Sequence, residues 1–372
     1  MEYIVKEVSS QKEFKDFCQF QYRLYSTVPT FVPTLERWQR KALSESPSQK
    51  YCAHKLLLAY DSNGNVAGRC CAMVNLRYNI LYNTKKMQFG WTDFVEDYDA
   101  FKVLMDSAVE WGRSQGATEI FGPFEHNSVI REGVLVEGFA NMTQAFASFN
   151  PPYYARFVER YGFKKDVDLV QYRISGLSGV PDSLPDMSRR VLEETNMKIV
   201  GWSWLLRHKS LAAECFSALS QSLLGKHDFV PLTDAELSDF MRAARFFVLS
   251  GLSFALIDPN GHIAALAMAS ADLSSALKKA DGSLSLFDKF RIVRSQLKFQ
   301  DVDFFLVWTA PEYDKEGLSA VCYNRLVESL REKDVRHCIT RPIYEDEPSA
   351  KVWDSYMGKE LYSRRRRYRM SI

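Results

Sequence analysis

The feature that most constrains the fold of this 372-residue chain is an internal repeat. The segment Asp61 to Asn65 (DSNGN) joins two apolar runs in the first half, and Asp258 to His262 (DPNGH) joins two in the second. Asn-Gly between apolar runs is a strong signal for a β-hairpin. Trp91-Thr92 and Trp308-Thr309 follow these hairpins at matching places, and each pair precedes a helical pattern. The repeat predicts a structural duplication.

Each half reads as strand, two helices, three strands, helix, strand, helix and strand. In the first half we predict strands at about 3–8, 55–60, 66–75, 87–94, 118–122 and 167–174, and helices at about 11–25, 35–43, 98–115 and 152–161. In the second half we predict strands at 252–257, 263–271 and 304–309, with an extra segment, 273–300, before the last. Gly and Pro residues at 175–183 predict a linker. We therefore expect domains at 1–175, with a long loop at 123–150, and at 185–372.

Composition narrows the class of protein. A net charge of +2 gives no reason to expect binding to nucleic acid. The seven cysteines show no spacing typical of metal ligands, so we expect reduced thiols and no bound metal. Cys70 and Cys71 are adjacent, which predicts side chains on opposite faces of a strand. No apolar run reaches the ~20 residues that span a bilayer, and the N-terminus has no signal-peptide pattern. We expect a soluble, cytoplasmic protein without a transmembrane segment.

A strand, a turn and an amphipathic helix follow one another between Asp301 and Asp334. The strand Phe304 to Thr309 is apolar enough to be buried on both faces. The turn ends at Gly317, Leu318 and Ser319, directly before the helical pattern. Unpaired backbone N–H groups at the start of a helix bind anions. The pattern therefore predicts either a phosphate site or an ordinary strand–helix turn, in which Lys315 is a surface lysine.

A second candidate site is the loop after the strand 118–122. Glu125, His126, Asn127, Arg131 and Glu132 place several polar side chains just beyond a strand end, where α/β sheets commonly bind ligands. We predict that His126 acts as a base or orients an acceptor, with Asn127, Arg131 and Glu132 contacting the substrate. The alternative is a loop histidine bonded to backbone.

The run Arg364 to Arg367 is the only basic cluster. On a strand, Arg364 and Arg366 share one face and Arg365 and Arg367 the other. Such a run predicts a solvated edge strand that is protected from pairing by its charge. The functional alternative is contact with an anionic partner, such as the 3′-phosphate of CoA, a lipid headgroup or tRNA.

The order of elements resembles that of the GCN5-related N-acetyltransferase (GNAT) superfamily. There, the turn after the fourth strand cradles the pyrophosphate of acyl-CoA, with the signature Gln/Arg-x-x-Gly-x-Gly/Ala. The segment Asp314 to Ser319 matches at Gly317 and loosely at Ser319, but has Asp314 where a basic or amide residue is expected. The corresponding turn of the first half, Glu96 to Ala100, has three carboxylates and no glycine, which would repel a pyrophosphate.

This resemblance implies an α+β fold of two tandem GNAT-like domains, each a mixed, mostly antiparallel sheet flanked by helices. It implies acetyl-CoA or a longer acyl-CoA as co-substrate, bound in the second domain. The residues implied to bind it are Trp308, Thr309, Lys315, Gly317, Leu318, Ser319 and Ala320. The long loop, followed by Asn150 to Tyr154, is similar to that of bacterial GNAT-related proteins, and Tyr153 is added to the residues predicted to bind substrate.

Acyl transfer also needs a base for the acceptor amine and a donor for the departing thiolate. The last helix of the superfamily aligns with the segment from Glu345 to Gly358, which offers Glu345 or Asp346 as the base and Tyr356 as the proton donor. The structural alternatives are a solvated helix start for the acids and a packing role for Tyr356.

The first interpretation is an acyltransferase that moves an acyl group from acyl-CoA to an amine, with the first half helping to form the acceptor site. The acceptor is a small-molecule or lipid-like amine. One alternative resembles the tandem-GNAT transferases that use aminoacyl-tRNA in cell-wall synthesis. Another is a non-catalytic binding or regulatory module. It is favoured by Asp314 in the turn and by Asp354, which stands where the superfamily usually has its general-acid tyrosine.

Overall fold

The structure, a computed structural model, describes residues 2–126, 131–145, 147–175, 179–225, 227–347 and 358–372, with the backbone alone at 304 and 305. The chain forms two compact units. Unit 1 comprises 1–170, 273–291 and 363–372, and unit 2 comprises 171–272 and 292–362. The units therefore differ from the two halves of the sequence, because each unit includes a segment from the other half.

Hydrophobic periodicity and turn residues set the elements of the described chain. The strands are β1 (Ile4–Glu7), β2 (Cys52–Tyr60), β3 (Val66–Asn75), β4 (Lys86–Phe94), β5 (Glu119–Gly122), β6 (Val134–Glu137), β7 (Lys164–Ser175), β8 (Lys198–Gly201), β9 (Phe254–Ile257), β10 (Ile263–Ala271), β11 (Asp301–Thr309), β12 (His337–Thr340), β13 (Ile343–Tyr344) and β14 (Lys359–Ser371). The helices are α1 (Gln11–Leu24), α2 (Glu36–Ser44), α3 (Leu76–Leu81), α4 (Tyr98–Ser114), α5 (Tyr153–Tyr161), α6 (Leu184–Thr195), α7 (Trp202–Arg207), α8 (Lys209–Ser222), α9 (Asp234–Phe247), α10 (Ser274–Ala280), α11 (Leu286–Leu297) and α12 (Leu318–Glu332).

The sheet of unit 1 has the strand order β1-β2-β3-β4-β5-β14, with the first residues of β7 beside β14. The pairs β1–β2, β2–β3, β3–β4 and β5–β14 are antiparallel, whereas β4 and β5 are parallel. The parallel pairing covers only 86–88 of β4, which continues to Phe94. The strand β5 ends at Gly122, so β4 extends beyond this pairing towards its carboxyl end.

Unit 2 repeats this plan with the order β8-β9-β10-β11-β12 and then the last residues of β7. Here the parallel pair is β11 with β12, and it covers 301–304 of a strand that continues to Thr309. The sixth strand of each sheet comes from the opposite half of the sequence, since β14 pairs with β5 whereas the end of β7 pairs with β12. The predicted fold class, two tandem units with mixed, mostly antiparallel sheets, is confirmed.

Both Asn-Gly hairpins form as predicted. In the first, Asp61 accepts hydrogen bonds from the backbone N–H groups of Asn63 and Asn65; in the second, Asp258 accepts them from Asn260 and His262. An aspartate that bonds the backbone two residues ahead stabilises a tight turn. The repeat visible in the sequence is thus a repeat of turn chemistry.

The hairpins position apolar strands on which the helices pack. Cys70 belongs to a core with α4 and α5, and Cys71 to a core with α1 on the other face of the sheet, as their adjacency predicts. All seven cysteines are free thiols. Within the described residues, no helix is long and apolar enough to cross a membrane.

The first part of the extra segment of the second half, 273–291, packs in unit 1. Ser274 Oγ accepts a hydrogen bond from the backbone N–H of Ala145, and the carbonyl of Gly282 accepts one from Glu36. Leu273, Leu277 and several alanines of this segment are buried. Only the first part of the segment is anchored in this way, because most residues of α11 are exposed.

The prediction of a solvated edge strand for the arginine run is wrong. The strand β14 lies between β5 and β7, and Arg365 and Arg367 are buried. Arg366 Nε donates to Asp168 Oδ1 at 2.8 Å, and Arg367 Nε donates to Asp166 Oδ2 at 2.6 Å. The acids of β7 neutralise the arginines, so the run belongs inside the sheet. The sequence run alone does not show this pairing, because its acids lie nearly 200 residues away.

Candidate functional site

The start of α12 in unit 2 is open to an anion. Gly317 precedes the helix in the left-handed conformation (φ +71°), and no side chain caps the helix start. Gly317 and Ser319 are exposed, whereas Leu318 is buried in the core and fixes the helix against the sheet. A Cβ atom at Gly317 would lie 3.3 Å from Val191 Cγ2, in a backbone conformation that strains other residues. The backbone N–H groups of this turn can therefore approach a phosphate closely.

The side chains of the same turn contribute less than its backbone. Asp314, Lys315 and Glu316 are exposed, and two of the three are acidic. Their charges are screened by water and salt, while the helix dipole acts within the first turn. The turn therefore offers an anion its backbone donors, with Lys315 as the one cation of the turn.

Two side-chain contacts hold this turn and its strand in place. Tyr313 Oη donates to Asp258 Oδ2 at 2.9 Å, which links the turn to the β9–β10 hairpin. Burial and this hydrogen bond raise the pKa of Tyr313 to about 12, so the phenol remains protonated. Trp308 Nε1 donates to Ser222 Oγ at 2.9 Å, which fixes the end of α8 beside β11. The predicted cofactor residue Trp308 is thus mostly buried and has a structural partner.

A histidine–aspartate pair lies beyond β12 in the same unit. His227 Nε2 is 2.9 Å from Asp346 Oδ1, and the imidazole stacks on Tyr344 with ring centroids 3.8 Å apart. His227 follows α8 closely and has a left-handed backbone (φ +43°), while Asp346 is largely exposed. A carboxylate that orients an imidazole and stabilises its protonated form is the usual support of a histidine base.

The topology brings these two features to one edge of the sheet. Because β11 and β12 are parallel, their carboxyl ends point the same way. The turn with Gly317 follows β11, and Tyr344 with Asp346 follows β12. In open α/β sheets, ligands bind outside the carboxyl ends of the strands. This edge of unit 2 is the candidate site.

The corresponding helix of unit 1 is capped by its own acid. Asp97 precedes α4 and accepts a hydrogen bond from the N–H of Asp99. Its other carboxylate oxygen accepts from Tyr3 Oη at 2.8 Å. A carboxylate at the N-cap occupies the place that an anionic ligand would take. The prediction that the acidic turn of the first half disfavours pyrophosphate is consistent with this geometry.

Unit 1 instead contains a buried polar network that is centred on β3 and β4. Arg69, 1% exposed, donates through Nε to Asp93 Oδ2 at 2.7 Å. Asp93 Oδ1 accepts from Tyr25 Oη, which lies 2.6 Å from Tyr154 Oη. The backbone N–H of Phe94 donates to Tyr154 Oη. The network ties α1, β3, β4 and α5 together, so its first effect is structural.

A cavity of about 50 Å³ adjoins this network, and Glu125, Arg131 and Glu132 are among its lining residues. Burial raises the pKa of Glu125 to about 6, against the opposing effect of the nearby Arg131 guanidinium. Glu132 accepts a hydrogen bond from Arg367, and Arg131 donates to the carbonyl of Ala147. The cavity is too small for more than a few atoms of a ligand.

His126 is buried against Trp91. Its ring centroid is 5.0 Å from that of Trp91 and 6.2 Å from that of His54. Burial, and secondarily His54, lower the pKa of His126 to about 3. A histidine with so low a pKa is a weak base, so its environment does not favour the predicted catalytic role.

The other residues predicted as sites have varied places. Tyr153 Oη donates to the carbonyl of Phe94 at 2.6 Å, and Glu345 is exposed. Thr309 is half-buried at the end of β11, and Ala320 is half-buried in the first turn of α12. Asn127 and Tyr356 lie outside the described residues. Among the residues that are described, no three His, Cys, Asp or Glu side chains are grouped to hold a metal ion.

No sequence pattern predicts a role for His227. The sequence predicts Asp346 as a possible base, but nothing near Asp346 in the sequence indicates its histidine partner. A weak signal was available: His227-Asp228 follows a helix in the segment that precedes the second hairpin. Only the folded chain brings the two side chains into contact.

Comparison with known proteins places this fold. No protein-family model matches the chain. It is 24% identical over 379 residues to Protein YghO of Escherichia coli (strain K12), covering 99% of this chain and 95% of that protein. It is also 24% identical over 247 residues to the Bacterial ceramide synthase of Caulobacter vibrioides, covering 64% of this chain and 62% of the relative.

Solved structures of similar fold include GCN5-related proteins. A tandem GNAT protein from the clavulanic acid biosynthesis pathway superposes with a TM-score of 0.57 at 13% identity, covering 100% of this chain and 98% of its own. A GCN5-related glucosamine N-acetyltransferase region of a fungal β-N-acetylglucosaminidase has the same TM-score at 14% identity, covering 99% of this chain and 38% of that larger chain. With the repeated strand order of the two units, these likenesses show that this chain has a tandem GNAT-like fold.

Proposed function

We propose that the protein transfers an acyl group from acyl-CoA to an amine, and that unit 2 carries the reaction. The observation that carries this proposal is the uncapped start of α12 behind Gly317, at the carboxyl ends of the parallel strands β11 and β12 of a GNAT-like sheet. Backbone N–H groups there would bind the pyrophosphate of the donor. In the reaction, the amine nitrogen attacks the thioester carbonyl, a C–N bond forms, and the C–S bond breaks.

The histidine–aspartate pair supplies the proton acceptor in this proposal. The attacking amine must lose a proton, and imidazole is the side chain that most often takes it. The contact of Nε2 with Asp346 orients the imidazole of His227 for this role. Asp346 then stabilises the imidazolium that forms. Tyr356, outside the described residues, remains the predicted donor to the thiolate.

The ceramide synthase relative supports a lipid-like acceptor. A ceramide is an N-acylated long-chain amino alcohol, so its synthesis is an acyl transfer to an amine. The likeness to the glucosamine N-acetyltransferase region supports the same bond on an amino sugar. Between the two, the sequence relationship with the ceramide synthase favours a long-chain amino alcohol for this chain.

Titration calorimetry with acetyl-CoA and with a long-chain acyl-CoA tests the donor site. Gly317→Asp adds a carboxylate at the start of α12 and strains its backbone, so acyl-CoA binding should be lost. Two variants are matched controls. Gly116→Asp places the same residue at another left-handed glycine with open space around it, and Asp97→Ala removes the cap of α4. Both should keep wild-type affinity.

An assay of acyl transfer to a long-chain amino alcohol and to glucosamine then tests the reaction. Transfer to either amine supports N-acyl transfer, and preference for the first supports the lipid-like acceptor. If Gly317→Asp binds acyl-CoA as the wild type does, the donor does not bind at the start of α12 and the proposal is wrong. If acyl-CoA binds but neither amine is acylated, a binding module is the better description.

A further inference from the structure

We propose that α11 is a membrane-surface helix that inserts its apolar face into an anionic lipid bilayer. Four apolar side chains of this helix, Leu286, Phe290, Val293 and Leu297, are between 51% and 80% exposed. They recur at i, i+4, i+7 and i+11, so they form one stripe along the helix. The stripe points to solvent, the reverse of the orientation expected for a helix of a globular protein.

The opposite face attaches the helix to the protein. Asp288 is buried, and Ile292 and Ser295 are half-buried. Asp288 accepts from Ser285 and from Arg291 Nη1 at 2.6 Å, which fixes the start of the helix. Gln296 Nε2 donates to the carbonyl of Phe246, which attaches the helix to another segment, and Phe287, 78% exposed, lies beside the apolar stripe. An apolar stripe with an aromatic neighbour is the surface that enters the boundary between headgroups and acyl chains.

Charge identifies the occupant of this surface as an anionic lipid. The extra segment, 273–300, has six Lys or Arg residues and two Asp, a net charge of +4, whereas the whole chain has +2. On a helical projection, Lys289 lies at one margin of the stripe and Arg294 at the other. Both are exposed, and neither has an ion pair in the part of the chain that the structure describes. Cations at the margins of an apolar stripe attract the anionic headgroups of a bilayer.

The same charges disfavour a second copy of this chain on the stripe. A two-fold interface places identical surfaces face to face. Lys289 and Arg294 of one copy would then lie near the same cations of the other, and like charges across an interface oppose association. The inference is independent of the proposed acyl transfer, since it rests on α11 alone.

Co-sedimentation with vesicles tests the inference on the full-length protein. Wild-type protein should bind vesicles of phosphatidylcholine mixed with phosphatidylglycerol, bind phosphatidylcholine alone more weakly, and lose affinity as salt is added. The double variant Phe290→Ser/Leu297→Ser should bind the anionic vesicles at least about tenfold more weakly, because two large apolar side chains no longer enter the bilayer. Lys289→Gln/Arg294→Gln should weaken binding to the anionic vesicles and leave binding to phosphatidylcholine unchanged.

Ile80→Ser is the matched control, because Ile80 is 81% exposed on α3 and should not contribute to vesicle binding. Lys15→Gln, at an exposed lysine of α1, is the control for charge. Unchanged thermal melting of each variant shows that folding is intact. The inference is overturned if the wild type does not bind anionic vesicles, or if the double variant binds them equally well. It is also overturned if vesicle binding is absent and size-exclusion chromatography shows a dimer that only the double variant dissociates.

Discussion

The helices α4 and α12 occupy equivalent places in the two units. Each follows the strand that pairs with the second strand of the Asn-Gly hairpin, β4 in unit 1 and β11 in unit 2. The two helices begin differently. Asp97 caps α4 with its own carboxylate, whereas Gly317 leaves the start of α12 without a side-chain cap. The strand order around them is the same. The comparison shows that a duplicated scaffold can keep its fold while a carboxylate caps one helix start and the other has no side-chain cap.

His126 of unit 1 and His227 of unit 2 also have different surroundings. His126 in unit 1 is buried against Trp91 and His54, with its pKa lowered to about 3. His227 in unit 2 contacts a carboxylate and a tyrosine ring. Unit 1 also uses Glu132 and Tyr153 in internal hydrogen bonds. These polar groups of unit 1 thus serve its internal packing, whereas unit 2 contains the proposed site.

The sharpest test of this comparison exchanges one histidine for alanine in each unit. His227→Ala should lower turnover by about 10²- to 10⁴-fold, the usual effect of removing a general base, and leave acyl-CoA affinity unchanged. His126→Ala should leave turnover nearly unchanged and lower thermal stability, because it empties a buried site. Steady-state kinetics and thermal melting separate these effects. The opposite pattern would restore the acceptor site predicted for the first half.

The buried network of unit 1 should dominate stability. Asp93→Ala leaves the Arg69 guanidinium buried without its carboxylate, which costs about 3–5 kcal/mol. Urea denaturation measures the change in the free energy of unfolding. Asp186→Ala breaks the exposed pair with Arg189 and should change nothing measurable. Equal effects of the two variants would mean that the Arg69–Asp93 pair does not hold unit 1 together.

The smallest expected effect concerns Glu125 and depends on pH. The folded state raises its pKa from 4.5 to about 6, so between these values the native protein binds more protons than the unfolded chain. The charge of Glu125 therefore costs stability, increasingly as pH rises from 4.5 to 6 and fully above 6. Glu125→Gln should stabilise the protein by about 1–2 kcal/mol at pH 7.5 and by nothing below pH 4.5.

Thermal melting of this variant across that range is the measurement, with Glu96→Gln, an exposed acid, as the control. A stabilisation that does not change with pH would show that Glu125 does not titrate in this window. Since the cavity beside Glu125 is small, the same variant should leave acyl-CoA affinity unchanged.

Much of the fold could be predicted because its signals are local. The Asn-Gly turns with Asp61 and Asp258, and the glycine at 317, are short sequence patterns whose hydrogen bonds involve neighbouring residues. The duplication was visible because both halves repeat these patterns in the same order. The predicted bounds of β3 and β10 agree with the structure for the same reason.

The exchange of β7 and β14 between the units could not be predicted in this way. Each is a strand by its own pattern, but the partner that it pairs with lies far away in sequence. The arginine run shows the consequence. Its charges predict an exposed edge, whereas in the structure Asp166 and Asp168 of β7, together with Glu132, pair with its arginines.

The sequence by itself determined the turns, the elements, their repeated order and the glycine at the start of α12. The tertiary structure decided which sixth strand each sheet receives, that His126 is buried and that His227 meets Asp346. The physical reason is the range of the interactions. Turn and helix-cap hydrogen bonds join residues a few positions apart, whereas burial and charge pairing depend on distant segments that only folding brings together.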